Sequence, residues 1–241
     1  MKKFVQALSA QVPAIAVPLV ATDPEALLQA AQAVCESDAQ VAEWRLDAWP
    51  TVDDDTAAHL LFRLHQAGKM VLVTIRTKAQ GGAFGGDVAE YVALYRRILD
   101  FGPDAIDIEA NVPPVPRQSL VEAAHANDVA VVASQHDFHQ TPGFEDGQAL
   151  LQSQSRWGDV VKLAAMPQQA TDTLNLLALL AWAKLTLPQP AIIIGMGELG
   201  QLTRVASGAF APGLTFATLG DASAPGQLSV ATILQLQGEQ A

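Results

Sequence analysis

Positive charge is scarce in this sequence. Its 241 residues hold 14 Lys and Arg against 25 Asp and Glu, a formal net charge of −11. An even negative coat repels phosphate backbones, so a nucleic-acid partner is not expected. Cysteine is nearly missing too. The single Cys35 excludes a disulfide scaffold and a zinc site built from thiolates, and it fits a reducing compartment. Charged residues of either sign make up only 16% of the chain against 50% hydrophobic residues. That balance excludes general disorder and leaves material for a sizeable core. Long apolar runs are also absent. The longest, Leu176 to Ala183, falls far below the roughly 20 residues of a membrane span. Met1-Lys2-Lys3 followed by apolar residues imitates a secretion signal, but Gln6, Ser9 and Gln11 interrupt the stretch, and Pro13 and Pro18 break the run beyond it. The chain reads as soluble and cytoplasmic, with no membrane partner.

What is present is a regular beat. Short Val- and Ile-rich or continuously apolar runs recur at residues 14–20, 41–47, 71–77, 105–110, 129–136, 159–166, 191–197 and 215–220, as expected of strands buried on both faces. Amphipathic stretches lie between them. The first opens with Thr22-Asp23-Pro24-Glu25, a capping residue ahead of a proline at the first helical position. Others cover 53–67, 87–101, 115–127, 145–157, 171–185, 198–210 and 226–237. Eight strands alternating with eight helices over this length predict a single (β/α)₈ barrel domain spanning residues 1–241. An open doubly wound sheet shares the alternation, usually with fewer strands per length.

Barrel sites are built at the C-terminal ends of strands, so the polar residues at those ends carry the functional reading. The second strand holds Glu43-Trp44-Arg45-Leu46-Asp47. Period-two alternation sends Glu43, Arg45 and Asp47 to the barrel interior, and Trp44 and Leu46 outward. Three ionisable groups there pair with one another or bind something; a purely structural Arg–carboxylate cluster is the alternative. The third strand ends at Thr74-Ile75-Arg76-Thr77, the fourth at Asp107-Ile108-Glu109, the fifth at Ser134-Gln135-His136.

Lys162, in Val160-Val161-Lys162-Leu163, is the most informative residue. Lysine is rare inside an apolar strand because its ammonium loses hydration. The cost falls if the amine gives up its proton, and a neutral amine is a nucleophile toward ketones. The competing reading is a lysine that only salt-bridges Glu43, Asp47 or Glu109. His136 ends the neighbouring strand, placed to take a proton from a carbon activated by an iminium. His139 lies further into the loop, and His59, His65 and His125 fall on helical surfaces. No His/Asp/Glu spacing resembles a metal site, so neither metal nor other cofactor is expected.

After the seventh strand comes Gly195-Met196-Gly197-Glu198-Leu199-Gly200, a literal G-x-G-x-x-G. It satisfies a dinucleotide fingerprint on paper. Too little chain remains to build the usual fold around it, however, and Glu198 would face a pyrophosphate. In a barrel the same loop simply offers backbone N–H groups and Arg204 to an anion.

These residues fall into ordered motifs: Glu43-x-Arg45-x-Asp47, Thr74-x-Arg76-Thr77, Asp107-x-Glu109, Ser134-x-His136-x-Phe138 with Thr141-Pro142, Val161-Lys162-Leu163-Ala164, Met196-Gly197 through Arg204, and Ser223-Ala224-Pro225-Gly226-Gln227. Together the chain resembles type I 3-dehydroquinate dehydratase, the Schiff-base-forming family of the shikimate pathway. The resemblance implies that Lys162 forms the iminium and His136 acts as general base and acid in losing water. It gives Glu43, Arg45, Arg76, Arg204, Met196, Ser223 and Gln227 to the substrate, and Gln80, Asp47 and Glu109 to support. It also implies a homodimer. Three positions depart from the family pattern: Gln80 where many members have glutamate, Thr203 where serine is usual, and Pro18 where some offer serine. Two other functions remain open at this point: a class I aldolase, which shares a barrel and a strand-six lysine, and a non-catalytic binder of a shikimate-pathway acid.

Overall fold

The computed structural model describes residues 2–220 and 226–238. A short helix α1 (Lys3–Ala7) precedes β1 (Ala14–Leu19), α2 (Pro24–Glu36), β2 (Val41–Arg45), α3 (Asp54–Gln66), β3 (Met70–Thr74), α4 (Val88–Leu99) and β4 (Ala105–Glu109). Next come α5 (Pro114–Ala126), β5 (Ala130–Asp137), α6 (Phe144–Gln154), β6 (Val160–Ala165), α7 (Ala170–Thr186), β7 (Ala191–Gly195), α8 (Gln201–Val205), β8 (Leu214–Thr218), β9 (Leu228–Ser229) and α9 (Val230–Gly238). Capping sets several starts. Asp23 accepts from the Ala26 N–H ahead of α2, Asp53 from the Thr56 N–H ahead of α3, and Asp87 with Glu90 forms a reciprocal capping box on α4.

All strands run parallel, and β1 pairs with both β2 and β8, so the sheet curls into the (β/α)₈ barrel expected from the alternation rather than an open sheet. Among the described residues no ladder joins β7 to β8; the ring meets there where the Gly213 N–H donates to Ala191 O at 2.7 Å. At three corresponding places the residue before an even-numbered strand makes a two-way clasp. Gln40 exchanges bonds with Ile15, Asp104 with Val71, and Asp159 with Val131, each through a backbone N–H and a side-chain oxygen. Gly213 holds the fourth place with no side chain to complete it.

The interior has two halves. Ala14, Ala16, Val41, Met70, Leu72, Ala105, Ala130, Val132, Val160, Ile192 and Leu214 fill the lower part. Two residues further along the same strands, the inward positions become Glu43, Thr74, Asp107, Ser134 and Lys162, all buried. Period two therefore turns an apolar plug into a polar cup along the same strands. Phe4, Val5 and Leu8 close the lower end, so the apolar residues at the start of the sequence belong to this plug.

The structure departs from the sequence expectation at several places; β3 and β7, for instance, stop at Thr74 and Gly195, short of the expected 77 and 197. Helix α1 and strand β9 are additional, and β9 delays the last helix to Val230 because Leu228 and Ser229 pair with β8. Helix α8 covers five residues of the expected 198–210. Strand β2 stops at Arg45, and Leu46–Ala48 turn as a 3₁₀ helix. Asp47 therefore leaves the alternation and lies beside Arg45 rather than in the pocket.

Candidate active site

The polar cup opens into a cavity of about 120 Å³ lined by Glu43, Arg45, Arg76, Gln80, His136, Lys162, Met196, Arg204, Phe216 and Gln227, among others. Nine of the twelve residues expected at the site thus line one pocket. Two more, Asp47 and Glu109, stand behind it. Ser223 lies outside the described residues.

Lys162 is 3% exposed. Its Nζ donates to Asp107 Oδ2 at 2.9 Å, lies 3.9 Å from Glu43 Oε1, and sits 4.6 Å above the Phe216 ring. The amine is not left bare, and its salt-bridge partners are Asp107 and Glu43 rather than Asp47 or Glu109. Arg76 shares the same Asp107 oxygen at 3.0 Å, with Glu109 at 2.9 Å on its other nitrogen. Burial alone would push the Asp107 carboxyl up, but the charge of Arg76, then of Lys162, holds it well below the usual carboxylate range. Two cations on one carboxylate oxygen fix where the lysine amine rests.

The surrounding side chains are held in turn. Glu109 accepts from the Thr77 N–H at 2.9 Å and its hydroxyl at 2.6 Å. Ser134 donates its hydroxyl to Asp107 and accepts from Arg76 at 3.1 Å. Asp47 clasps Arg45 with two bonds of 2.8 Å, and takes the Ala83 N–H at 3.0 Å. Glu43 accepts from Thr74 Oγ1 at 2.9 Å.

His136 is half-buried at the pocket wall. Gln80 Oε1 accepts from its backbone N–H at 2.8 Å and faces Nδ1 at 3.1 Å. A backbone N–H can only donate, so the amide presents its oxygen and Nδ1 carries the ring proton. Nε2 is thereby left with its lone pair. Burial, then the positive charges of Arg76 and Lys162, holds the imidazole well below its ordinary range, with Asp107 opposing. It is a neutral base. Gln80 Nε2 is buried with no hydrogen-bond partner among the described residues, a stranded donor that a carboxylate in its place would not leave.

Arg204 enters from the opposite side, on α8. Thr203 Oγ1 accepts from the Gly195 N–H at 2.8 Å and donates to Gly200 O at 2.7 Å, pinning that helix to the end of β7 with the hydroxyl the family pattern asks for. Arg204 is 2% exposed, and burial draws its guanidinium down to about 10, still a cation at neutral pH. The glycines of the G-x-G-x-x-G run serve this packing: a Cβ on Gly200 would stand 2.1 Å from Gly195 C. They fold the loop on itself rather than cradle a dinucleotide. Gly226 packs as closely on Gly197, with 2.2 Å from its would-be Cβ to Gly197 O, bringing Gln227 over the pocket.

Asp107 and Phe216 were not among the expected site residues. Asp107 shares its inward phase with Glu109, a signal present in Asp107-Ile108-Glu109. Phe216 stands in a continuous apolar run, where nothing distinguishes an aromatic facing a lysine from one in the plug. Among the described residues no group of three or more His, Cys, Asp or Glu side chains could hold a metal ion, and no helix is long and apolar enough to cross a membrane.

The chain is similar to known proteins over almost its whole length. The Type I 3-dehydroquinase family matches residues 15–238. The 3-dehydroquinate dehydratase of Lactiplantibacillus plantarum is 37% identical over 223 residues, 90% of this chain and 88% of that protein. That of Escherichia coli is 38% identical over 224 residues, 90% and 89% of the two chains. The solved type I 3-dehydroquinate dehydratase of Clostridium difficile, with covalent modified comenic acid, superposes with a TM-score of 0.89 at 27% identity, covering 96% of this chain and 94% of that one. With the fold, the buried lysine and these similarities in agreement, the chain belongs to the type I 3-dehydroquinase family, a family of hydro-lyases.

Proposed function

We propose that the protein dehydrates 3-dehydroquinate to 3-dehydroshikimate through a Schiff base on Lys162. One observation carries the reading: a buried amine and the free lone pair of a fixed imidazole face the same pocket from adjacent strands, β6 and β5, in the register Ser134↔Lys162. The amine adds to the substrate ketone and expels its oxygen as water, giving an iminium. His136 Nε2 takes a proton from the carbon next to the iminium, and the electron pair forms the enamine. The imidazolium returns that proton to the departing hydroxyl, which leaves as water. Hydrolysis of the conjugated iminium releases the product and restores the amine. Arg204 pairs with the substrate carboxylate, a local cation that a chain of net charge −11 needs to bind an anion. Glu43, Arg45 and Arg76 hold the ring hydroxyls, with Met196 and Gln227 against the ring. The Clostridium difficile relative carries covalent modified comenic acid, which fits a reading in which an acid is bonded to the enzyme. We infer a homodimer working in the cytoplasm, a setting the free thiol of Cys35 supports.

The test is direct. The product enone absorbs ultraviolet light where the substrate does not, so absorbance should rise on adding 3-dehydroquinate. Borohydride added during turnover should leave a ligand-sized mass on Lys162. A flat trace with no adduct overturns the reading.

Gln80→Glu is expected to move the acid limb of the pH profile of kcat/KM upward while changing KM less. The base must be neutral to act, and a carboxylate beside Nδ1 favours the imidazolium where an amide does not. The native limb therefore lies at lower pH. Profiles of the two enzymes that superpose would remove Gln80 from any tuning role.

A further inference from the structure

Tyrosine is scarce in this chain. It has 8 Phe but only 2 Tyr, and both tyrosines sit on one helix. Tyr91 and Tyr95 stand one turn apart on α4, buried at 2% and 0% exposure. Their rings meet edge to face with centroids 4.9 Å apart. Phenylalanine would fill that space as well, so it is the hydroxyls that call for a reason.

Those hydroxyls stand where backbone hydrogen bonds belong. The β3–β4 ladder stops at Thr74↔Asp107, whereas β4–β5 runs on to Glu109↔Ser134. With Thr74 opposite Asp107, the next two rungs of a parallel ladder run from the Ile75 N–H to Asp107 O and from the Glu109 N–H to Ile75 O. In place of the first, the Ile75 N–H donates to the Tyr95 hydroxyl at 2.9 Å, and that hydroxyl donates to Asp107 O. In place of the second, the Glu109 N–H donates to the Tyr91 hydroxyl at 3.3 Å, which donates at 3.4 Å to Asp107 O. Burial, then the Glu109 and Asp107 carboxylates, pushes the Tyr91 phenol up, and burial first pushes Tyr95 the same way. Each therefore keeps the proton it donates. Two bonds in series span more than one, so β3 and β4 part at this level.

The parting lies behind the lysine. Arg76 follows Ile75 directly, and its guanidinium reaches Asp107 at 3.0 Å and Glu109 at 2.9 Å. Asp107 in turn holds the Lys162 amine at 2.9 Å. The lysine's own backbone is anchored separately, by the Gln154 amide donating to Lys162 O at 3.0 Å. What the two phenols set is the other partner: the carbonyl of Asp107 is held from outside the barrel while its carboxylate meets the amine inside.

We propose that Tyr95 and Tyr91 are positioning residues for condensation at Lys162, wedging β3 from β4 so that Asp107 rests the amine where it meets the substrate ketone, a role that rests on the Schiff-base reading. Without the Tyr95 hydroxyl, the Ile75 N–H and Asp107 O close directly on one another or lose their partner. Either change moves the Asp107 backbone, and with it the carboxylate that bonds the amine.

Rapid-quench trapping with borohydride, together with steady-state kinetics, is the test, because the trapped mass reads condensation at Lys162 directly. Tyr95→Phe keeps the ring and loses the hydroxyl. It is expected to be trapped about tenfold more slowly than the native enzyme, with a similar loss in kcat and a KM within about twofold. Tyr91→Phe, whose bonds are longer, should be trapped about threefold more slowly. A merely structural pair would lower the melting temperature but leave the folded variants trapping at the native rate, and that result overturns the proposal. So does a loss carried by KM alone. If Tyr95→Phe does not fold, Tyr91→Phe decides on the same criterion. The native enzyme keeps the two readings apart: no adduct on native Lys162 sinks the Schiff base and the wedge together, whereas a native adduct with native trapping in the variants sinks the wedge alone.

Discussion

Lys162→Ala is expected to lower kcat/KM by about 10⁴-fold or more, because in the proposed mechanism it removes the atom that bonds to the substrate and not merely a contact. The pocket should survive the change. Asp107 keeps Arg76 at 3.0 Å and the Ser134 hydroxyl, and Glu43, which loses its 3.9 Å ion pair with Lys162, keeps the Thr74 hydroxyl at 2.9 Å and the nearby charges of Arg45 and Arg76, so neither carboxylate is left bare, which is the usual cause of collapse in such clusters. Native circular dichroism, no growth of enone absorbance and no borohydride adduct are therefore the joint expectation. Retention of activity within about tenfold would mean that another amine, or no amine, carries the reaction.

The second large effect belongs to His136. His136→Ala should cost kcat about 10³-fold, in the range that general acid–base groups supply, yet leave iminium formation intact. Its signature lies in the trapped species. The native enzyme in turnover holds adducts that have lost water, whereas His136→Ala should hold the adduct of the unreacted substrate, heavier by one water. Mass analysis after borohydride separates the two. A variant that forms no adduct would place the histidine in the condensation step instead, and a variant with native kcat would remove it from the reaction.

Much of this site was legible in the residues themselves, for a physical reason. An ionisable residue in an apolar strand is rare, and period two fixes its side, so Lys162, Glu43 and His136 announced both their place and their phase, whereas Arg76 faces the pocket from beyond the end of β3 at Thr74. The same rule failed at Asp47, because alternation holds only while the strand lasts and β2 ends at Arg45. It could not rank Asp107 above Glu109, since which carboxylate meets the amine depends on register across two ladders. It could not single out Phe216 among apolar neighbours. Gln80, on a 3₁₀ turn after β3, came from family resemblance alone: a loop residue has no periodicity to read. Among the elements, α1 and β9 are too short to leave a pattern. On α7 the exposed Leu174 and Leu185 and the buried Leu176, Leu179 and Leu180 belong to one apolar stretch, since burial by the sheet and exposure to solvent look alike in sequence.

The missing clasp at Gly213 has a bearing on ligand binding. Every other neighbouring pair around the ring is laced by a ladder, while β7 and β8 meet edge to edge with little between them. The substrate, in the proposed pose, is tied covalently to β6 on one side and held by Arg204, Phe216 and Gln227 on and around the other. It would act as a suture across the one loose join seen among the described residues of the cylinder. Anything that binds only the closed ring also shifts its opening equilibrium by mass action, so occupancy and integrity of this barrel rise together, and the substrate-free protein should breathe first where its chemistry is assembled.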